Sequence, residues 1–155
     1  MKNILLASTS TLYGQEYLAY IKPEIQALFA GVDEIIFIPF ARPGGISHDD
    51  YTAKAASVFN ELGIAVKGLH TFEDPIAAVK AAKGFFTGGG NTFLLVKTLH
   101  DLGLMAILKE VITSGTPYMG ASAGSNIGGL RVIYIALIII IVGGVILGWF
   151  TATES

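Results

Sequence analysis

Pro117-Tyr118-Met119-Gly120-Ala121-Ser122-Ala123-Gly124-Ser125-Asn126 joins a short apolar run to a G-x-S-x-G pentapeptide and then to a helical opening. The order reads as a strand turning sharply into a helix, the context that a nucleophile elbow requires. A turn this tight holds the serine in a strained backbone conformation. A Cβ two residues to either side would collide with it, which accounts for Gly120 and Gly124. The product is a serine hydroxyl raised at the end of a sheet, with the Ala123 N–H at the mouth of the following helix. An ordinary Gly/Ser/Ala-rich turn would use the same letters, so the pentapeptide must be weighed against the rest of the chain.

Upstream, the pattern alternates. Ile4-Leu5-Leu6-Ala7 is a buried first strand, too short for the apolar region of a signal peptide. Residues 14–29 set Leu18, Ile21, Ile25, Leu28 and Phe29 on one helical face, with Gly31 beyond the end. Glu34 to Phe40 is a central strand, followed by a loop through His48. Residues 49–62 return to helical spacing through Tyr51, Ala55, Val58, Phe59 and Leu62, stopped by Gly63. Ile64 to Leu69 is a third strand. Asp74-Pro75 opens a short helix over 75–82, the aspartate as N-cap and the proline in the first turn. Gly84-Phe85-Phe86-Thr87 is a fourth strand running into Gly88-Gly89-Gly90. Asn91 caps a helix that Gly103 closes, and another covers 104–114 before the strand that leads to Ser122.

Strands separated by helical segments predict an α/β fold, a parallel sheet flanked by helices on both faces. Ligands of such sheets bind beyond the carboxyl ends of the strands, where both glycine clusters fall. The 88–90 loop admits three uses: a phosphate cradle, close packing, or amide donors for an oxyanion. Neither G-K-[ST] nor G-x-G-x-x-G is present, so the two nucleotide fingerprints are not met. Glycine bends from two strands on one sheet edge would make an acyl-transfer site, each donor worth roughly 3 kcal/mol in the transition state.

Composition narrows the chemistry. The 155 residues suit one domain, and 52% hydrophobic residues is ample for a core. A formal net charge of -2 with no basic stripe argues against nucleic acid as a partner. There is no cysteine, which excludes disulfides, thiolate catalysis and zinc–cysteine sites.

Phe86-Thr87-Gly88-Gly89-Gly90-Asn91-Thr92-Phe93, taken with Gly120-Ala121-Ser122-Ala123-Gly124-Ser125-Asn126, closely resembles the peptidase E family. Phe37-Ile38-Pro39-Phe40-Ala41, Asp50-Tyr51-Thr52 and Asp74-Pro75 agree with it, and the resemblance covers about residues 1–127. It implies a fold related to class I glutamine amidotransferases and an alpha-aspartyl dipeptidase activity. It further implies Ser122 as nucleophile and the Gly90 and Ala123 N–H groups as oxyanion hole. The substrate would be a small acidic dipeptide with N-terminal aspartate, and the family needs no metal or cofactor.

The family's triad histidine and glutamate, and the residues that recognise the aspartate, follow the elbow. Here the only ionisable side chains after Ser122 are Arg131, Tyr134 and Glu154. His48, His70 and His100 all precede it and read as solvated histidines, His48 lying in a loop that could face the same sheet edge. In a serine protease, loss of the serine or the histidine costs on the order of a millionfold in turnover. The chain by itself is therefore expected to be close to inactive.

The sequence divides into 1–130, the peptidase E-like part, and 131–155, an apolar tail. Within the tail, Val132 to Phe150 is nineteen residues without a charge. As a helix it would reach about 28 Å, enough for a membrane span. Arg131 would then leave the catalytic portion in the cytoplasm. Against this, ten of the nineteen are β-branched and Gly143-Gly144 could turn a hairpin of buried strands. A tail foreign to the domain is a third reading. An incomplete parallel sheet would also expose an edge and invite oligomerisation.

Three functions are thus carried forward. One is a peptidase E-type serine dipeptidase, active only with a base from elsewhere. The second is an inactive, membrane-tethered remnant that binds small acidic peptides or a partner, and the third is a cyanophycinase-like serine hydrolase. A glutaminase of this fold would need the cysteine that is missing.

Overall fold

The computed structural model describes residues 3–42, 44–129, 137–139, 141–142 and 145–146. Five short strands form its centre: β1 Ile4–Ala7, β2 Glu34–Ile38, β3 Ala65–Gly68, β4 Phe85–Thr87 and β5 Tyr118–Ala121. All pair in parallel in the order β3-β2-β4-β5-β1. The helices are α1 Lys22–Leu28, α2 His48–Glu61, α3 Pro75–Ala81, α4 Thr92–Asp101, α5 Met105–Thr113 and α6 Ala123–Gly129.

Alternation along each strand divides the apolar side chains between two cores. Leu5, Ile35, Phe37, Phe86 and Met119 meet Ile25 of α1 and Ala55, Val58 and Phe59 of α2 on one face. Ile4, Leu6, Ile36, Ile38 and Phe85 meet Val79, Leu95, Leu99, Leu108, Ile112 and Ile127 of α3 to α6 on the other. The expected layered α/β architecture is therefore present. Each buried Leu, Ile or Phe contributes about 1.5–3 kcal/mol by leaving water, which holds strands of three to five residues in place.

Capping chemistry sets the helix starts. Ser47, Asp74 and Asn91 each accept a hydrogen bond from the N–H three residues on, at 3.0 Å. One expected helix is corrected. Residues 14–18 are not helical; a 3-10 turn covers Ala19–Ile21 and α1 begins only at Lys22. Pro23 is the cause, since proline lacks an N–H and fits only the first turn of a helix. The face holding Ile21, Ile25 and Phe29 is nevertheless buried as expected. The third strand also ends early, at Gly68, and His70 lies in a 3-10 turn over Leu69–Thr71.

Most of the apolar tail lies outside the described residues. Those described are extended, which does not support the transmembrane-helix reading. Leu137–Ile139 (β6) runs parallel beside β1, and Ile141–Val142 (β7) pairs antiparallel with Val145–Ile146 (β8). β-branched residues favour this pleated geometry. Among the described residues, no helix is long and apolar enough to cross a membrane.

Candidate active site

Strand β5 lies between β4 and β1, so Ser122 leaves the sheet near its middle. Its N–H bonds to the Ala7 carbonyl at the end of β1, at 2.9 Å. Its carbonyl accepts the Ser125 N–H at 2.9 Å and the Ser125 hydroxyl at 2.6 Å, which starts α6 immediately. Between these anchors Ser122 is forced to φ 52°, a left-handed conformation that costs a non-glycine residue about 1–2 kcal/mol. The flanking glycines are required sterically. A Cβ on Gly120 would collide with the Gly124 carbonyl, and one on Gly124 with the Thr87 carbonyl of β4. The buried Tyr118 hydroxyl donates to the Gly124 carbonyl at 2.8 Å, and burial pushes its pKa well up, so it remains a donor.

The register Thr87↔Gly120 brings the triple-glycine loop to the same edge as the elbow. Gly89 faces the serine directly: a Cβ there would lie 2.9 Å from Ser122 Cβ and 3.4 Å from its Oγ. Gly90 is exposed at φ 144°, where a Cβ would strike the Ala41 carbonyl. That carbonyl also accepts the Asn91 N–H at 2.6 Å. A further tie crosses from the elbow helix to the loop helix, Asn126 Nδ2 donating to Thr92 Oγ1 at 3.0 Å. Close packing thus accounts for all three glycines, and it coexists with a donor role. Among the described residues, neither the Gly90 nor the Ala123 N–H is taken up by a hydrogen bond. An oxyanion at this edge would find both amides unengaged.

The three histidines are not brought to the serine. His70 Nε2 lies 2.7 Å from Asp49 Oδ1, and the His48 ring sits edge-on between Phe40 and His70. Burial first, and then the neighbouring His70, hold His48 below the usual imidazole pKa, with Asp49 opposing. His100 is exposed in the last turn of α4. Among the described residues no histidine is hydrogen-bonded to Ser122, and no group of three His, Cys, Asp or Glu could hold a metal. In the sequence Tyr51 falls on an apolar helix face and within the family-like Asp50-Tyr51-Thr52, neither of which marks its hydroxyl. A phenol on a buried face needs a partner for its hydroxyl, and that was the available signal.

Comparison with known proteins bears on the fold and the family. The model of Peptidase family S51 matches residues 4–138. Peptidase E of Escherichia coli strain 536 is 43% identical over 126 residues, covering 80% of this chain and 54% of the relative. Peptidase E of strain K12 gives the same identity and coverage. The chain therefore spans about half the length of the curated relatives it matches. Among solved structures, a Listeria monocytogenes EGD-e protein described as a candidate peptidase E superposes with TM-score 0.59 at 23% identity, covering 77% of this chain and 58% of that one. A peptidase from an acI-B1 actinobacterium gives 0.61 at 22%, covering 77% and 54%. At that identity the structures speak for the fold, while the family model speaks for descent. The chain belongs to peptidase family S51.

Proposed function

We propose that Ser122 is the nucleophile of a serine dipeptidase of the peptidase E type, acting on dipeptides with an N-terminal aspartate. One observation carries this: Ser122 is held at φ 52° against the backbone of Gly89, beside two unengaged amide donors. Strain of this kind persists only where surrounding contacts over-determine it, and it clusters at functional sites. Membership of peptidase family S51 and the peptidase E relatives support a peptidase, and the aspartyl dipeptide is the substrate that the resemblance of the two glycine motifs implies.

In this reading Ser122 Oγ attacks the scissile carbonyl carbon while a base takes its proton. The carbonyl oxygen becomes an oxyanion held by the Gly90 and Ala123 N–H groups. The C–N bond then breaks, the departing amine takes the proton, and water releases the acyl group from Ser122. No cofactor enters these steps. The base comes from outside the described residues.

Two measurements on one substrate test the reading. Alone, the chain should cleave an aspartyl dipeptide no faster than its Ser122→Ala variant. Residues 1–129 joined to the part of Escherichia coli peptidase E beyond the match should cleave it, with turnover falling at least a thousandfold (~10³) in Ser122→Ala. A folded chimera whose turnover ignores Ser122 would overturn the assignment.

A further inference from the structure

We infer that Tyr51 is a positioning residue: its buried hydroxyl fixes the plane of the Gly89–Gly90 peptide and so aims the Gly90 N–H at the oxyanion site. This rests on the proposed role of Gly90. Tyr51 lies in the first turns of α2, is 1% exposed, and donates its hydroxyl to the Gly89 carbonyl at 3.0 Å. That carbonyl belongs to the same planar unit as the Gly90 N–H, and in a trans peptide the two point in opposite directions. Holding the oxygen on the core side therefore turns the N–H outward, to the exposed side on which Gly90 lies.

The ring is itself immobilised. Phe37 of β2 meets it edge-on with centroids 4.9 Å apart, and the Arg42 guanidinium lies 5.2 Å from its centroid. A Cβ on Gly88 would collide with the Tyr51 hydroxyl, so the glycine allows the loop to descend onto the phenol. The bond to Gly89 also polarises the amide, which strengthens the N–H as a donor. On the far side of the peptide, the Ala41 carbonyl holds Asn91 N–H at 2.6 Å. The donor is thereby fixed from before and behind.

The phenol's oxygen, rather than its ring, should carry the effect, so Tyr51→Phe is the informative variant. In the isotopically labelled full chain, Tyr51→Phe should leave most amide resonances in place. It should shift the Gly89 carbonyl carbon and lower the heteronuclear NOE of the Gly90 amide. Tyr20→Phe, which removes a half-buried phenol whose hydroxyl donates instead to the Thr9 carbonyl, should leave Gly90 ordered. An unchanged Gly90 amide in Tyr51→Phe would overturn the inference, whatever the fate of the peptidase assignment. In the chimera described above, kcat should fall about tenfold with KM unchanged, the loss of about 1.4 kcal/mol felt only in the transition state. Unaltered kcat alongside a loosened Gly90 would equally overturn it.

Discussion

The N–H of Ser122 is bonded to the carbonyl oxygen of Ala7 at 2.9 Å, so the elbow hangs from the end of β1 as well as from its own strand. The first strand of the chain thus closes one side of the turn, and β4 closes the other through Thr87 and Gly124. The strained serine is a consequence of both walls together.

Relief of that strain is measurable. Ser122→Gly should raise stability by about 0.5–1 kcal/mol, because glycine adopts φ 52° without penalty. Urea unfolding followed by circular dichroism reads the change. A loss of stability would show that Ser122 is not strained.

Gly124→Ala tests the opposite wall. Its methyl would enter the Thr87 carbonyl, and the short β4 cannot yield without disturbing its pairing to β2 and β5. A cost of about 3 kcal/mol is expected in the same assay. Gly103→Ala makes a control in open space, where only the φ of 68° opposes the change and the loss should be smaller.

Two N-caps separate stability from activity. Asn91→Ala and Asp74→Ala each remove a cap bond of 3.0 Å and should each cost about 1 kcal/mol. Only Asn91 adjoins the glycine loop. In the chimera, Asn91→Ala should therefore lower kcat while Asp74→Ala leaves it unchanged. Equal activity in the two variants would count against the loop's role.

Acid should loosen the α2 end of the fold through His48. Burial and His70 depress its folded pKa below the ordinary value of 6.5. Above pH 6.5 both folded and unfolded forms are neutral there. As pH falls below 6.5, the unfolded chain binds the proton first, and stability declines until pH passes the folded pKa. His48 opens α2, so the positive end of the helix adds to the penalty on the imidazolium. Stability measured at pH 7.5 and pH 5 should fall less in His48→Asn than in the parent chain.

Much of this was legible before the structure. The elbow, the glycine loop and the alternation of strand and helix are local signals, carried by glycine and by apolar spacing. Strand order was not, because the pairing of Ile4 with Tyr118 depends on chain closure across the whole domain. Pro23 outvoted an apolar stripe that began at Leu18, since a missing N–H forbids what periodicity permits. The role of the Tyr51 hydroxyl was not legible, because one atom of an otherwise apolar side chain does the recognising, and its partner carbonyl is remote in sequence. Most of the tail lies outside the described residues, so neither its β-branched content nor its length and lack of charge decides its structure.

Acyl transfer to one hydroxyl is the step on which the account stands. Mass spectrometry of the chimera, acid-quenched during turnover of an activated aspartyl ester and then digested, reads it directly. An aspartyl adduct is expected on the peptide containing Ser122. An active chimera that carries the adduct elsewhere, or carries none as turnover proceeds, would contradict it.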